Sequence, residues 1–363
     1  MALQVGIIGL PNSGKSTIFN ALTRAGAAVA GYPFTTVDPN YGVTAVPDVR
    51  LERVAAAAGC PRVVPADLRV VDIAGLVEGA HRGEGLGNRF LAHIREVDVV
   101  AHAVRCFSAP DVPHVRPQLD PAADIALVNT ELILADLEAL ARRKERIGKA
   151  ARSGDREKAR ELEVLMKVEE GLKRGVPVRG QELEEEELKA LAGLFLLTAK
   201  PVIYVANLGE EQLEGDGSLL EDVRRVAEEE GAELVALCAK LEAEIEELNP
   251  EEMREFLEAY GIEKPGLEIF VQRCYRLLGL ITFFTTESGE CRAWPLRAGS
   301  TAVQAAGKIH TDMERGFIRA EVLGWEEFLA YGSFHAAREK GAVRVEGRDY
   351  VVRDGDVMLF RFH

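Results

Sequence analysis

Eight residues near the start of the chain, GLPNSGKS at positions 9–16, fit the spacing G-x-x-x-x-G-K-[ST], directly after the apolar stretch LQVGII and directly before the helix-like STIFNALTRA. This set handles phosphate. Gly9 and Gly14 let backbone N–H groups, with those of Asn12, Ser13 and Thr17 around them, close on a β-phosphate. Lys15 neutralises β- and γ-oxygens, the Ser16 hydroxyl ligates Mg²⁺, and the following helix points its positive end at the anion. DIAG at 72–75 ends another apolar run, LRVVDIAG. Asp72 at such a strand end can hold the Mg²⁺ shell, and the Gly75 N–H can approach a γ-phosphate. Between the two motifs, GYPFTTVDPN supplies Thr35 and Thr36, either able to close over Mg²⁺ when a γ-phosphate is present.

The base is read elsewhere. GTPases generally carry N-K-x-D after a later strand, its Asp accepting two hydrogen bonds from the guanine edge. Here PVIYVANLGE delivers Asn207, Leu208, Gly209 and Glu210, so Leu replaces Lys and the longer Glu replaces Asp. A carboxylate accepts from guanine N1–H and N2–H₂ but faces a lone pair on adenine N1; moving it by one methylene weakens guanine selection and removes an obstacle to adenine. ATP is therefore the expected ligand, with GTP through Glu210 as the open alternative. Directly after DIAG, where many switch GTPases place a water-orienting Gln, stands Leu76, so another group must position water.

These residues need a scaffold. LQVGIIGL, LRVVDIAGL and VDVVAHAVRCF alternate with helical segments, a βα pattern that implies a mostly parallel sheet and an α/β fold. From about 129 to 198 the chain turns into charged, glycine-poor helix. Leu162, Leu165, Val168 and Leu172 recur every three or four residues on one face, and SGD at 153–155 reads as a turn between two antiparallel helices of about 20 residues, about 30 Å long each. This is a helical arm inserted into one nucleotide-binding domain, which comprises residues 1–128 and 199–278. From 279 to 363, β-branched and aromatic strands such as ITFFTT and DVMLFRF surround a short helix capped by Ser300 or Thr301, a small α+β domain.

Composition narrows the classes. Of 363 residues, 47% are hydrophobic and 28% charged, with no apolar run long enough to span a bilayer, so a water-soluble chain with no membrane partner is expected. The N-terminal residues run straight into the first strand, and no secretory leader is expected. Five scattered cysteines without metal spacing read as reduced thiols of a cytoplasmic protein. A net charge of −15 argues against non-specific coating of nucleic acid but leaves room for a local basic surface docking on RNA or a ribonucleoprotein.

Taken together, YPFTT, DIAGLVEGAHRGEGLGNRFL, AVRCF and the NLGE departure resemble the YchF or Obg-like ATPase family, within the Obg-related translation-factor class of P-loop proteins. The resemblance runs over nearly the whole chain, and residues 72–91 are its most specific piece. It implies an arm of coiled-coil type, a C-terminal TGS domain of β-grasp type, ATP in preference to GTP, Mg²⁺ dependence and association with ribosomes. By that resemblance nucleotide contacts fall on residues 12–17, Mg²⁺ ligands on Ser16 and Thr36, and base contacts on Asn207 and Leu208. Thr35 departs from the Cys of many relatives. ALCAK at 236–240 resembles the S-A-[KL] motif with Cys238 for Ser, and backbone contacts at Ala239 survive that change. His114 in DVPHVRP matches the histidine that the family implies for positioning water, with His81 as second choice. Asn12 resembles the asparagine with which certain related GTPases help bind K⁺, a cation that can stand where an arginine finger stabilises developing charge. The expected function is a slow, Mg²⁺-dependent ATP switch read by the ribosome or its RNA. An ordinary Obg-class GTPase, a P-loop kinase acting on a small molecule, and a nucleotide-gated scaffold without catalysis are the competing readings.

Overall fold

The apolar stretch after Met1 becomes a strand, β1 (Gln4–Ile8), and the GKS motif opens α1 (Lys15–Ala30). The computed structural model describes residues 3–30, 41–73, 86–109, 112, 118–213 and 217–363, and for 25–30, 86–89 and 250 the backbone alone. In chain order there follow β2 (Tyr41–Val46), α2 (Val49–Ala58), β3 (Arg62–Val64), β4 (Ala66–Asp72), α3 (Leu86–Glu96) and β5 (Val99–Arg105). Next come α4 (Pro121–Arg152), α5 (Arg156–Lys173), α6 (Glu185–Leu191), β6 (Val202–Asn207), α7 (Ser218–Glu230), β7 (Glu233–Leu237) and α8 (Ala239–Ile245). The last strands are β8 (Leu280–Glu287), β9 (Glu290–Arg297), β10 (Phe317–Gly324), β11 (Arg344–Glu346) and β12 (Asp356–Phe362).

Two compact units result. One comprises Met1–Ala21, Asp38–Gly42 and Val70–Phe270; the other comprises Leu22–Val37, Val43–Arg69 and Val271–His363. The first sheet has the order β2-β4-β1-β5-β6-β7, and β1–β5, β5–β6 and β6–β7 pair in parallel. Strands β5 and β6 are buried at every residue, which is why they read as mostly apolar runs broken only by His102, Arg105 and Asn207, and Ile8, Val104, Tyr204 and Ala206 build the core beneath the helices. The described loops after β1, β5, β6 and β7 leave this sheet at the C-terminal ends of its strands, the face where open α/β sheets bind ligands.

Helix α4 starts earlier than the change in sequence texture at 129 suggests. Asp120 caps it, its side chain accepting from Ala123 N at 2.9 Å, and Pro121 occupies the first turn, where a missing N–H costs nothing. Its first turns bury Ile125, Val128 and Leu132 in the core of the sheet, and its later turns form the arm. There Ile133, Leu140 and Ile147 repeat every seven residues against Val164, Leu165, Val168 and Leu172 of α5, a coiled-coil seam in which each buried aliphatic contributes about 1.5–3 kcal/mol. A buried polar knot ties the arm's foot to the sheet. Arg179 pairs with Glu230 at 2.7 Å, Tyr204 donates to Glu230 at 2.7 Å, and Asn129 bridges both, donating to Glu230 and accepting from Arg179. Beside Tyr204, burial drives His102 down to about 3, so its imidazole stays neutral.

The second sheet has the order β11-β10-β12-β8-β9-β3, antiparallel at β8–β9, β10–β12 and β10–β11 and parallel at β12–β8 and β3–β9. One face is covered by the helix Ala302–Ile309, whose Ala302, Ala305 and Ala306 pack on Phe283, Met358 and Phe360, the arrangement of a TGS-like β domain. Thr301, rather than Ser300, is its N-cap, completed by Gln304 three residues on. Strand β3, from near residue 60, joins this sheet by pairing with β9, an attachment that its three residues do not announce.

Candidate functional site

The phosphate loop takes its shape from two left-handed residues, Asn12 at φ 64° and Gly14 at φ 91°. Asn is among the few side chains that tolerate this region; at Gly14 a Cβ would also collide with the Asn207 amide. At Gly9 a Cβ would lie 2.6 Å from Ala103 O and from Ser13 Oγ, so the backbone passes too close for any side chain. Ser13 Oγ is buried and has no hydrogen-bond partner among the described residues.

Asp72 ends β4 facing the start of α1. Its carboxylate forms an ion pair with Lys15 and accepts from Ser16 Oγ at 3.3 Å. Nucleotide binding requires Lys15 to exchange that carboxylate for phosphate oxygens, since one ammonium cannot serve both at full strength. The Ser16 and Asp72 oxygens are the donors a hard divalent cation uses. Mg²⁺ takes one or two protein oxygens and completes its shell with phosphate and water, so its fit here does not require the cluster of three or more His, Cys, Asp or Glu side chains that is absent among the described residues.

A cavity of about 640 Å³ opens beside the loop, lined by Gly14, Thr17, Phe107, Leu208, Glu210, Cys238, Ala239 and Lys240 among others. Asn207 is its keystone. The side chain leaves β6 almost wholly buried, Nδ2 donating to Ser13 O at 3.0 Å and Oδ1 accepting from Ala239 N at 3.0 Å. One amide thus fastens the phosphate loop to the loop after β7. Leu208 donates its N–H to Leu237 O at 2.8 Å and buries its side chain in the core, giving the cavity an apolar wall. Phe107, also in the lining, stacks under the Arg105 guanidinium at 4.6 Å, and Arg105 donates to the carbonyls of Phe107 and Val112, holding the strand exit in place; burial lowers its pKa. Glu210 on the rim is engaged by Lys240 at 2.6 Å, and its carboxylate holds the Lys240 ammonium above its usual value. Burial raises the Cys238 thiol, so it stays protonated.

Of the residues expected from the sequence, Gly9, Asn12, Ser13, Gly14, Lys15, Ser16, Thr17, Asp72, Asn207, Leu208, Glu210 and Ala239 are gathered on this one face. Thr36, Gly75 and His114, with Thr35, Leu76 and His81, lie outside the described residues. Sequence reasoning missed the Lys240 partner of Glu210 and the Phe107 wall. The quoted stretches ALCAK and AVRCF contain or adjoin both, but only the fold brings 107, 210 and 240 together.

A phosphate loop leaving β1, an acid closing β4, and an asparagine at the end of β6 that fastens the loop to the segment after β7 are arranged in the manner of P-loop NTPases of the Obg-like class. The family described as 50S ribosome-binding GTPase matches residues 4–135, and the C-terminal domain of YchF GTPases, described as a protein of unknown function, matches residues 280–363. Over its full length the chain is 49% identical to the ribosome-binding ATPase YchF of Haemophilus ducreyi and 48% identical to that of Bacillus subtilis, covering 100% of both proteins in each case. The solved YchF GTPase of Schizosaccharomyces pombe superposes with a TM-score of 0.89 at 34% identity, over 99% of this chain and 97% of that one. A GTP-binding protein of Pyrococcus horikoshii, at 20% identity and a TM-score of 0.61 over 99% and 100%, shares the fold. The chain belongs to the YchF family.

Proposed function

We infer that this chain is a ribosome-binding P-loop ATPase. The observation that carries ATP is the Glu210–Lys240 pair at 2.6 Å: the carboxylate at the position that in a GTPase would accept from guanine is engaged by an ammonium. Leu208, Phe107 and the backbone around Ala239, among the other lining residues, offer a slot that stacks a purine without demanding the guanine edge. Lys15 moves from Asp72 to the β- and γ-oxygens, and loop N–H groups at residues 12–17 cradle the phosphates. Ser16 and Asp72 would hold Mg²⁺, with Thr36 as a further ligand. When bound, that cation neutralises developing phosphate charge. His114 orients the attacking water, taking the role that Leu76 leaves unfilled, and turnover is accordingly slow. Asn12 is the K⁺ candidate; equal turnover after K⁺ is replaced by Na⁺ would remove it.

Among the described residues no helix is long and apolar enough to cross a membrane, in keeping with a cytoplasmic protein that works on ribosomes. The test has two arms. ATP incubated with the protein and no added acceptor should release phosphate, and the protein should co-sediment with ribosomes more strongly with a non-hydrolysable ATP analogue than with ADP. Histidine 114 is then examined directly: His114→Ala should abolish release while leaving ATP binding intact. Phosphate transfer only when a small-molecule acceptor is added would overturn the hydrolase reading.

A further inference from the structure

The chain is acidic overall, yet residues 141–160 at the end of the arm hold nine Lys and Arg against three Asp and Glu. Five of these cations are accounted for locally. Arg143 and Lys158 meet Glu161, Lys144 meets Glu169, Arg160 meets Glu186 and Arg142 reaches Glu138, contacts that bind the arm's own helices and loops. Arg146, Lys149, Arg152 and Arg156 are exposed and have no ion-pair partner among the described residues.

Their placement is ordered. At about 100° per residue, Arg146, Lys149 and Arg152 fall within about 120° of one another on α4, with Arg142 extending the stripe by a turn and exposed Glu145 standing within it, an acid outnumbered four to one by the cations of that stripe. Leu140 and Ile147, which fill the seam against α5, lie on the opposite side. Arg156 begins α5 just past the turn. Like charges three and four residues apart oppose helix formation, and a cation at a helix start faces the positive end of the dipole. Favourable placement near a helix C-terminus explains Lys149 and Arg152, in the last turn of α4, but neither Arg146 nor Arg156. An ordinary solvated face of this protein looks different: on α7, Arg224 pairs with Glu221, and Arg225 with Asp222 and Glu229.

We propose that the outer stripe of the arm tip, Arg146, Lys149, Arg152 and Arg156, docks on the phosphate backbone of helical RNA. This deepens the ribosome-binding reading and rests on it. A helix presenting cations three residues apart, about 4.5 Å along its axis, can follow a phosphate strand without reading bases. Four such contacts predict that log K for binding falls with log salt at a slope of about −3.6.

The experiment uses the full chain and the double variant Arg146→Ala, Lys149→Ala, whose exposed positions accept alanine without loss of core. Binding to a protein-free A-form RNA duplex of about 20 base pairs and to purified ribosomes is measured between about 50 and 200 mM salt. ATP turnover without RNA stays unchanged and certifies the fold. The expected result is a duplex slope that falls in magnitude by about 2 in the variant, with binding at about 0.1 M salt weakened at least about tenfold. An unchanged slope, or no binding of the duplex by the unmodified chain, overturns the proposal. Weakened ribosome binding without duplex binding would put an acidic ribosomal protein under the stripe, and also overturns it. Duplex binding without ribosome co-sedimentation would leave the stripe standing and remove the ribosome-binding reading instead.

Discussion

Replacing Asn207 with alanine removes two buried hydrogen bonds at once, from Nδ2 to Ser13 O and from Ala239 N to Oδ1, both 3.0 Å. Partner chemistry fixes the orientation of the amide, because a carbonyl needs the NH₂ and an N–H needs the oxygen. Truncation strands one backbone acceptor and one backbone donor, each worth about 1–3 kcal/mol when left unpaired. The adjoining cavity of about 640 Å³ admits water to part of that deficit, so the lower end applies, about 2–3 kcal/mol in total. For a unit of about 200 residues this lowers Tm by about 5–10 °C. Because the amide joins both loops that line the cavity, ATP affinity falls at least about tenfold. Asn207→Asp keeps the acceptor toward Ala239 but sets oxygen against the Ser13 carbonyl, and should be at least as damaging as alanine. Calorimetric melting and ATP titration read both effects; a melting point within about 1 °C of the unmodified chain, with unchanged ATP affinity, would refute the clamp.

Gly14→Ala forces a side chain into a φ of 91° and against the Asn207 amide, and ATP titration should find binding weakened by at least about 2 kcal/mol. Lys240→Met releases Glu210; since both side chains are solvent-exposed, stability should hold and the GTP-to-ATP affinity ratio should rise no more than about fivefold, read by competition binding. Glu242, a buried residue of α8, accepts from Gly266 N at 2.6 Å and Leu267 N at 3.1 Å, but burial outweighs these bonds and lifts it to about 7. Between about pH 4.5 and 7 the folded chain therefore keeps a proton that the unfolded chain has lost, so the stability contributed by this group declines as pH rises, by up to about 3 kcal/mol. Denaturant titrations from about pH 5 to 7 should give a smaller decline for Glu242→Gln, and parallel declines would contradict the assignment.

Much of the phosphate half of the site was legible because its chemistry is local. Spacing within residues 9–16 dictates a loop, and the apolar run before Asp72 dictates a strand that ends there. The arm was legible from the period of Leu162, Leu165, Val168 and Leu172, whereas the true start of α4 was hidden because one continuous helix serves two cores, the sheet's and the seam's. The base half was legible only in outline. NLGE announces a departure from the guanine-reading motif, but the partner of Glu210 is Lys240, thirty residues on, and no pattern along the chain links the two. Likewise the knot of Asn129, Arg179, Tyr204 and Glu230 draws on four separate elements, and β3 pairs with a strand more than two hundred residues away. Such contacts are products of tertiary folding, without local period or spacing.

The central claim is that the stretch at 207–210 decides which nucleotide the loop at 9–16 holds. Equilibrium binding of ATP and GTP in Mg²⁺ buffer tests it most directly, comparing the nucleotide-free chain with the double variant Glu210→Asp, Leu208→Lys. The account predicts tighter ATP binding by the unmodified chain and a shift toward GTP in the variant. Tighter GTP binding by the unmodified chain would mean that Glu210 leaves Lys240 to read guanine, and would contradict it.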